Sequence, residues 1–454
     1  MNLTELEDFF GNRLTTSKSI RLEHSRDESW HIPSNIPDAV VFPETTEEVS
    51  RTIKFAYKNN IPVIPFGTGT ALEGHVHAVN GGITINSANM NRIIEVNNDD
   101  MDCRVQAGVT RKDLNEFLRD SGLFFPVDPG ANASIGGMCA TRASGTNTVK
   151  YGTIREQVIG LEVVMPDGQI INTGTRARKS AAGYDLTHLM LGSEGTLGFI
   201  SEISLRLHGR PEAVSAGVCS FSDLKGAVDT VIEAIQVGLP LSRIELLDEA
   251  QIAAINKYKN TKHKELPTLF VEIQGSPLGI KEQSEKFKEI SESNNILNYD
   301  WSDRSEEIEK LWSARHDAYY AALNLAPGKK AFTTDICVPI SQLTECILET
   351  KKDIEDSNII APIVGHVGDG NFHLIMLLDP EDKNEVKEAK LLNDKLVNRA
   401  LRMQGTSTGE HGIGIGKKDY LKVEQGNSVE VMSQIKKAID PTNIMNPGKI
   451  FEIN

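Results

Sequence analysis

Two short stretches carry histidines and a carboxylate where no helical or strand periodicity accounts for them. The first is GHVGDGNFH, residues 365–373, with His366 and His373 seven positions apart. On one uninterrupted strand, residues seven apart point to opposite faces. The flanking runs APIV and LIMLL read as strands, and Asp-Gly between them reads as a tight turn, so a chain reversal can bring both imidazoles together. Two ring nitrogens make half of a zinc or manganese site. The second stretch is TGEHGIGIGKK, residues 408–418, which adds Glu410 and His411 among glycines. Its Gly-Lys is not a phosphate-binding Walker motif: the motif's first glycine is missing and Lys418 stands where Ser or Thr belongs. From the residues alone, a His-His-Glu metal triad and a set of polar surface turns are equally compatible with these stretches.

Three glycine-dense segments suggest a second kind of chemistry. PFGTGTALEG places Gly67, Gly69 and Gly74 directly after an apolar strand, and DPGANASIGGMCATRASGTNTVKYGT (128–153) and LGSEGTLGFI (191–200) follow. Glycine permits positive φ and close backbone approach, so amides in such loops can converge on phosphate oxygens. One such loop alone is more often a turn. Three in one region suit a long, multiply charged ligand such as a dinucleotide, although the spacing is not the GxGxxG fingerprint.

The elements that must position these groups fall into two halves. Val40 and Val41, then Thr45-x-x-Glu48 opening a helix, then IPVIPFG, read as a β-α-β unit. GGITINS, IIEVNN and CRVQAGV read as strands, with a helix starting near Thr110. Residues 126–155 read as irregular, and VIGLEVVMPDGQIINTG as two strands around a Pro-Asp-Gly turn. Beyond residue 210, helices alternate with strands as in an α+β domain built on an antiparallel sheet. The expected organisation is an N-terminal extension (1–32) with an amphipathic segment (Leu3, Leu6, Phe9, Phe10), a ligand-binding domain (33–210), a second domain (211–420) and a C-terminal helical segment (421–454).

At 454 residues and a formal charge of −15, the chain has room for two or three domains, and its charge argues against a nucleic-acid partner. Five scattered cysteines show neither a disulfide framework nor iron–sulfur spacing. The N-terminal residues lack signal-peptide or presequence character, and no run is long and apolar enough to span a membrane. The expectation is a cytoplasmic protein with at most peripheral contact to the inner membrane.

PFGTGTALEG, PVDPGANASIGGMCATRASGTNTVKYG, GSEGTLG and the final NPGK resemble the FAD-binding fold of the vanillyl-alcohol oxidase type. With its second half included, the chain is similar to FAD-linked oxidases of the cytochrome-type D-lactate dehydrogenase group, whose relatives include D-2-hydroxyglutarate and glycolate dehydrogenases. The resemblance spans about residue 33 to the C-terminus. It implies an α+β architecture: a two-part FAD-binding domain and an α+β substrate, or cap, domain with an antiparallel sheet. It also implies that Pro65, Phe66, Gly67, Thr68, Gly69 and Thr70 form the diphosphate loop. Pro129, Gly130, Ser134, Gly136, Gly137, Ser144 and Gly145 would wrap the flavin and ribityl chain. Glu194, Gly195 and Ile200 would lie along adenine and ribose, and Asn446 near the isoalloxazine. Relatives with covalent FAD carry histidine where this chain has Thr70, so non-covalent FAD is expected, with His75 and Cys139 as nearby nucleophiles. Arg142 occupies a place where relatives show a small residue or asparagine.

The same resemblance implies one divalent metal, Zn or Mn, held by His366, His373 and Glu410, with His411 as base. Oxidising a 2-hydroxy acid removes a hydride from C2 and a proton from the hydroxyl. An unassisted alcohol, with a pKa of about 16, is a reluctant proton donor, and a divalent cation lowers that barrier. Arg315, otherwise a surface arginine on a helix, becomes the anchor for the substrate carboxylate, with His316 a second polar contact or a solvated side chain. Relatives that take D-2-hydroxyglutarate place a lysine and an asparagine on the distal carboxylate; this chain has Thr333 and Ile375 there. That favours D-lactate or another monocarboxylic D-2-hydroxy acid, with glycolate and D-2-hydroxyglutarate as alternatives within the family. From other classes, a metallohydrolase with structural glycine loops and a nucleotide-binding sensor are the competing readings. No iron–sulfur or haem motif is present, so electrons are expected to leave to a cytochrome, a quinone, an electron-transfer flavoprotein or a partner subunit.

Overall fold

The computed structural model describes residues 2–453. The chain divides into two compact units: Met1–Ser144, Gly152–Arg210 and Glu410–Asn454 form the first, and Gly145–Tyr151 with Pro211–Gly409 the second. Two short segments are exchanged relative to contiguous domains: 145–151 belongs to the second unit, and 410–420 to the first.

The first unit contains the expected β-α-β. The strands Ala39–Val41 and Val63–Phe66 both pair in parallel with Ile83–Asn86, which lies between them. The connecting helix Thr46–Asn59 begins where the Thr45 hydroxyl accepts the Glu48 N–H, relieving one of the four orphan donors of a helix start. It buries Val49, Ile53 and Ala56 against Val63, Ile83 and Ile85. The N-terminal helix Thr4–Phe10 adds Leu6 and Phe10 to this core. Five antiparallel strands form a second sheet in the order Ile93–Asn97, Asp102–Gln106, Phe199–Arg206, Val158–Val164, Ile170–Gly174.

Residues 126–155, expected to be irregular, include three short helices, Ile135–Thr141, Thr148–Tyr151 and Ile154–Gln157. Small residues hid the first, but its packing depends on them. Ser134 caps it through the Gly137 N–H, and a Cβ at Gly136 would lie 2.6 Å from that of Ala107. Arg142 ends the same helix with φ +56°, a conformation in which Gly and Asn are at ease. This is a backbone reason for the small residue or asparagine of relatives. Among the described residues, no helix is long and apolar enough to cross a membrane.

The second unit is built on an eight-stranded sheet, and its main path runs through Ile296–Ser302, Ala213–Phe221, Thr268–Gly275, Leu241–Leu247, Ile363–Gly365, Asn371–Leu378 and Lys330–Thr333. All these pairings are antiparallel. The helices Glu249–Lys259, Ser305–His316 and Ala318–Leu323 contribute Ile252, Trp312 and Ala321 to a core with Phe270, Ile375 and Leu377 of the sheet. The segment 145–151 is tied into this unit by Arg243, whose Nε donates to Asn147 at 2.9 Å, and by Tyr151, whose hydroxyl donates to Gln274 at 2.8 Å.

Candidate active site

In the second unit, Ile363–Gly365 and Asn371–Leu378 are antiparallel, with Val364 opposite His373. The reversal between them is a short 3-10 turn, Val367–Asp369, closed by Gly370 at φ +80°. The reversal overcomes the parity objection: the His366 and His373 rings lie 5.5 Å apart, centroid to centroid, nearly perpendicular. Both rings are oriented through Nδ1. His366 Nδ1 donates to Glu245 Oε1 and His373 Nδ1 to the Thr334 carbonyl, each at 2.8 Å. In the neutral ring this places the lone pair on Nε2, and such outer hydrogen bonds commonly accompany metal-ligating histidines.

Glu245 also holds Arg315. Its Oε2 accepts from Arg315 Nε at 2.9 Å and from Nη2. The Glu245 side chain is only 1% exposed. Burial raises its pKa, but the charges and hydrogen bonds of His366 and Arg315 outweigh this and hold the carboxyl below its ordinary value. Arg315, expected as an exposed group on a helix surface without the resemblance, is buried near the end of Ser305–His316. His316 Nδ1 donates to the Trp312 carbonyl of the same helix.

Sequence reasoning missed Asp335 as well as Glu245. Asp335 is fully buried, accepts from Asn371 at 3.0 Å and Thr408 at 2.7 Å, and has Oδ1 3.7 Å from His373 Nδ1. The signals were faint: an acid following an apolar run in AFTTD, and an acid inside the apolar LSRIELL. Thr333 and Ile375 are direct cross-strand partners, so the two positions read for acid selectivity lie side by side. Ile375 and His373, two apart on one strand, share its face.

In the first unit, Pro65 and Phe66 end a strand and Gly67 to Thr70 form the loop beyond it. A Cβ at Gly67 would overlap the Ser134 hydroxyl, and Gly69 has φ +71°. The loop therefore lies against the capped start of Ile135–Thr141, bringing Gly67, Ser134 and Gly137 together. A Cβ at Gly195 would meet the Pro65 ring at 2.7 Å. The positive φ and tight packing of these glycines are what a backbone loop around a diphosphate uses, and the residues present fit FAD. Pro129 and Gly130 lie in a more open loop, and Ile200 is packed in the core beside Ile203 and Leu161. Gly145 opens the segment in the second unit, its N–H donating to Thr148.

Glu194 is a buried hub. Its carboxylate accepts the N–H groups of Ile413 and Gly414 at 2.7 and 2.8 Å, and His75 Nε2 lies 3.3 Å away. Burial opposes charge on both partners, yet their mutual attraction raises the His75 pKa and lowers that of Glu194. Asn446, at φ +40°, donates to the His75 and Glu194 carbonyls at 3.1 and 2.7 Å. The terminal segment reaches it by pairing with Val63 along the parallel sheet. Lys449 beside it donates to the His77 carbonyl, and burial lowers its pKa to about 8. Cys139 is fully buried, and burial raises its thiol pKa. Glu410 accepts the Ser144 hydroxyl at 2.5 Å, and His411 Nε2 lies 4.0 Å from Glu410 Oε1.

Comparison with known proteins agrees with this reading of the fold. Residues 37–174 match the family described as FAD binding domain, and residues 210–450 match FAD linked oxidases, C-terminal domain. The crystal structure of p-cresol methylhydroxylase superposes with a TM-score of 0.82 at 15% identity, covering 100% of this chain and 96% of that one. The architecture is α+β, a vanillyl-alcohol oxidase/p-cresol methylhydroxylase-type FAD-binding fold followed by a domain with a large antiparallel sheet. The chain belongs to the FAD-linked oxidase family. Within that family it is 49% identical, over 97% of its length and 89% of the relative's, to "Probable D-lactate dehydrogenase, mitochondrial" of Danio rerio. It is 44% identical, over 99% and 80%, to "D-lactate dehydrogenase [cytochrome], mitochondrial" of Arabidopsis thaliana.

These relatives correct the expected cytoplasmic location, because both are mitochondrial by name. The N-terminal residues on which that expectation drew are used for packing: Leu6 and Phe10 belong to the core of the first unit.

Proposed function

We propose that this protein is a FAD-dependent dehydrogenase that oxidises D-lactate to its 2-oxo acid and passes the electrons to an external acceptor of cytochrome type. The observation that carries the reading is its near-full-length likeness to proteins named D-lactate dehydrogenase, one of them designated cytochrome. Thr333 beside Ile375 supports a monocarboxylic substrate, since a second carboxylate would meet a hydroxyl and an alkyl side chain at these two positions and would be costly to desolvate.

In this proposal the flavin is held non-covalently by the region 33–210 with the returning segment 421–454, and the substrate by the region 211–420. Bound FAD supplies the hydride acceptor, and a divalent cation, Zn or Mn, supplies Lewis-acid polarisation of the substrate hydroxyl. His366, His373 and Glu410 are the residues assigned to the cation, with Asp335 as a further carboxylate donor. The donor set of imidazole nitrogens and carboxylates suits either ion. Arg315 binds the substrate carboxylate through the guanidinium edge not taken by Glu245. This fixes the lactate so that C2 and its hydroxyl have one orientation. His411 accepts the hydroxyl proton at a ring nitrogen. The apolar Ile375 limits water and a second charge near the methyl end.

Anaerobic addition of D-lactate to the yellow holoprotein tests this reading, with loss of flavin absorbance expected for D-lactate and none for L-lactate. Absence of bleaching by any D-2-hydroxy acid would overturn the proposed activity. Complete metal removal is expected to slow bleaching, and unchanged turnover in the stripped enzyme would remove the cation's role.

A further inference from the structure

Glu245 satisfies two different partners with two different oxygens. Oε1 accepts from His366 Nδ1 at 2.8 Å, and Oε2 accepts from Arg315 Nε at 2.9 Å and also from Nη2. The carboxylate lies on Leu241–Leu247, whose neighbour in the sheet is Ile363–Gly365, the strand that leads directly into His366. Its side chain is 1% exposed, that of Arg315 11% and that of His366 12%. Water is therefore a poor substitute for any of the three partners, and the geometry is set by protein groups.

We infer that Glu245 is a positioning residue that keeps a proton on His366 Nδ1, so that in the neutral ring the lone pair lies on Nε2, while aiming the Arg315 guanidinium. One buried carboxylate thereby links the histidine assigned to the cation with the arginine assigned to the substrate. The inference rests on the proposed function for the roles of these two partners. The Nδ1 proton of His366 and the Arg315–Glu245 ion pair follow from the hydrogen bonds themselves, and the unprotonated Nε2 from the cation assigned to it.

The chemistry of the side chain provides a discriminating variant. A carboxylate has two acceptor oxygens, whereas the equally sized amide of glutamine has one acceptor and one donor. In Glu245→Gln only one partner can be satisfied as before. Arg315 makes two hydrogen bonds to Oε2 against one from His366 to Oε1, so the glutamine oxygen is expected to stay with Arg315. The NH2 group then faces His366 Nδ1 and favours the proton on Nε2, the atom a cation would need. Glu245→Asp keeps both acceptors on a shorter arm.

The test uses the full-length, FAD-loaded protein, stripped of metal and titrated with Zn2+ and separately with Mn2+. Flavin content and thermal unfolding confirm that each variant is folded. Glu245→Gln is expected to weaken binding of both ions by about 10–100-fold, with Glu245→Asp intermediate. Arg315→Lys is expected to raise KM for D-lactate without moving ion affinity. Affinity of Glu245→Gln within about twofold of the wild type would overturn the tautomer lock, as would an aspartate variant no better than the glutamine one. Wild-type protein that binds neither ion would instead overturn the proposed cation role, so the two failures are distinguishable.

Discussion

Ser144 donates its hydroxyl to Glu410 at 2.5 Å across 266 positions of sequence. One partner is itself among the residues assigned to the flavin, and the other is a carboxylate assigned to the cation. A charge-assisted hydrogen bond of this kind orients a carboxylate and fixes which oxygen remains for a ligand. Ser144→Ala is therefore expected to weaken divalent-ion affinity by about tenfold. Ion titration of the stripped holoprotein measures it, and unchanged affinity would dissociate the serine from the carboxylate's function.

His411 is assigned the proton. Its replacement by alanine should slow flavin reduction by D-lactate by about 10²–10⁴-fold while the protein stays yellow. Anaerobic stopped-flow absorbance distinguishes this from loss of cofactor. Reduction at the wild-type rate would pass the role of base to another group.

Thr333 and Ile375 face each other across two strands, so the double variant Thr333→Lys, Ile375→Asn places a cation and an amide together. Its preference for D-2-hydroxyglutarate over D-lactate is expected to rise by about tenfold or more in kcat/KM. A ratio that stays put would show that the distal end of the substrate lies elsewhere.

At Gly67 a Cβ would overlap the Ser134 hydroxyl in its capping position. Gly67→Ala must turn the Ser134 hydroxyl away from the Gly137 N–H that it caps, or shift the loop. The variant is expected to bind FAD about tenfold or more weakly, in keeping with the usual cost of overpacking, and to purify with little flavin. A full complement of flavin, read from the ratio of visible to ultraviolet absorbance, would exclude the loop from the cofactor site.

The His75–Glu194 pair makes stability depend on pH from both sides. The raised His75 pKa contributes stability that is complete below its ordinary value near 6.5 and is lost as pH rises through the higher folded value. The lowered Glu194 pKa contributes stability that is present above its ordinary value near 4.5 and is lost as pH falls through the lower folded value. His75→Gln resembles the neutral imidazole form. Its deficit in Tm should thus be largest between pH ~5 and ~6.5 and shrink toward pH ~9. A deficit independent of pH would mean that His75 acts through packing alone.

Much of this molecule is legible along the chain because it depends on local rules. Thr45 announces a helix, Val63 to Phe66 a buried strand, and the glycines at 67 and 69 a backbone with positive φ or close neighbours. These are properties of residues and their immediate successors. The alternating chemistry around His366 and His373 likewise foretold a reversal, because without one the two rings could not meet. The class of protein was legible for the same reason: its glycine motifs are long and contiguous. The helix Ile135–Thr141 escaped notice because its small residues carry no amphipathic stripe, and it forms only where Ala107 and Ser134 give it a place. Glu245 and Asp335, and the partners of Glu194, were hidden for a further reason. A buried acid in an apolar stretch has no local partner to announce it; His366 lies 121 positions from Glu245, and Ile413 lies 219 from Glu194. The sequence by itself determined which groups can bind, donate and accept. Only the tertiary structure decided which oxygen meets which nitrogen, because those pairings join residues that share no turn, helix or hairpin.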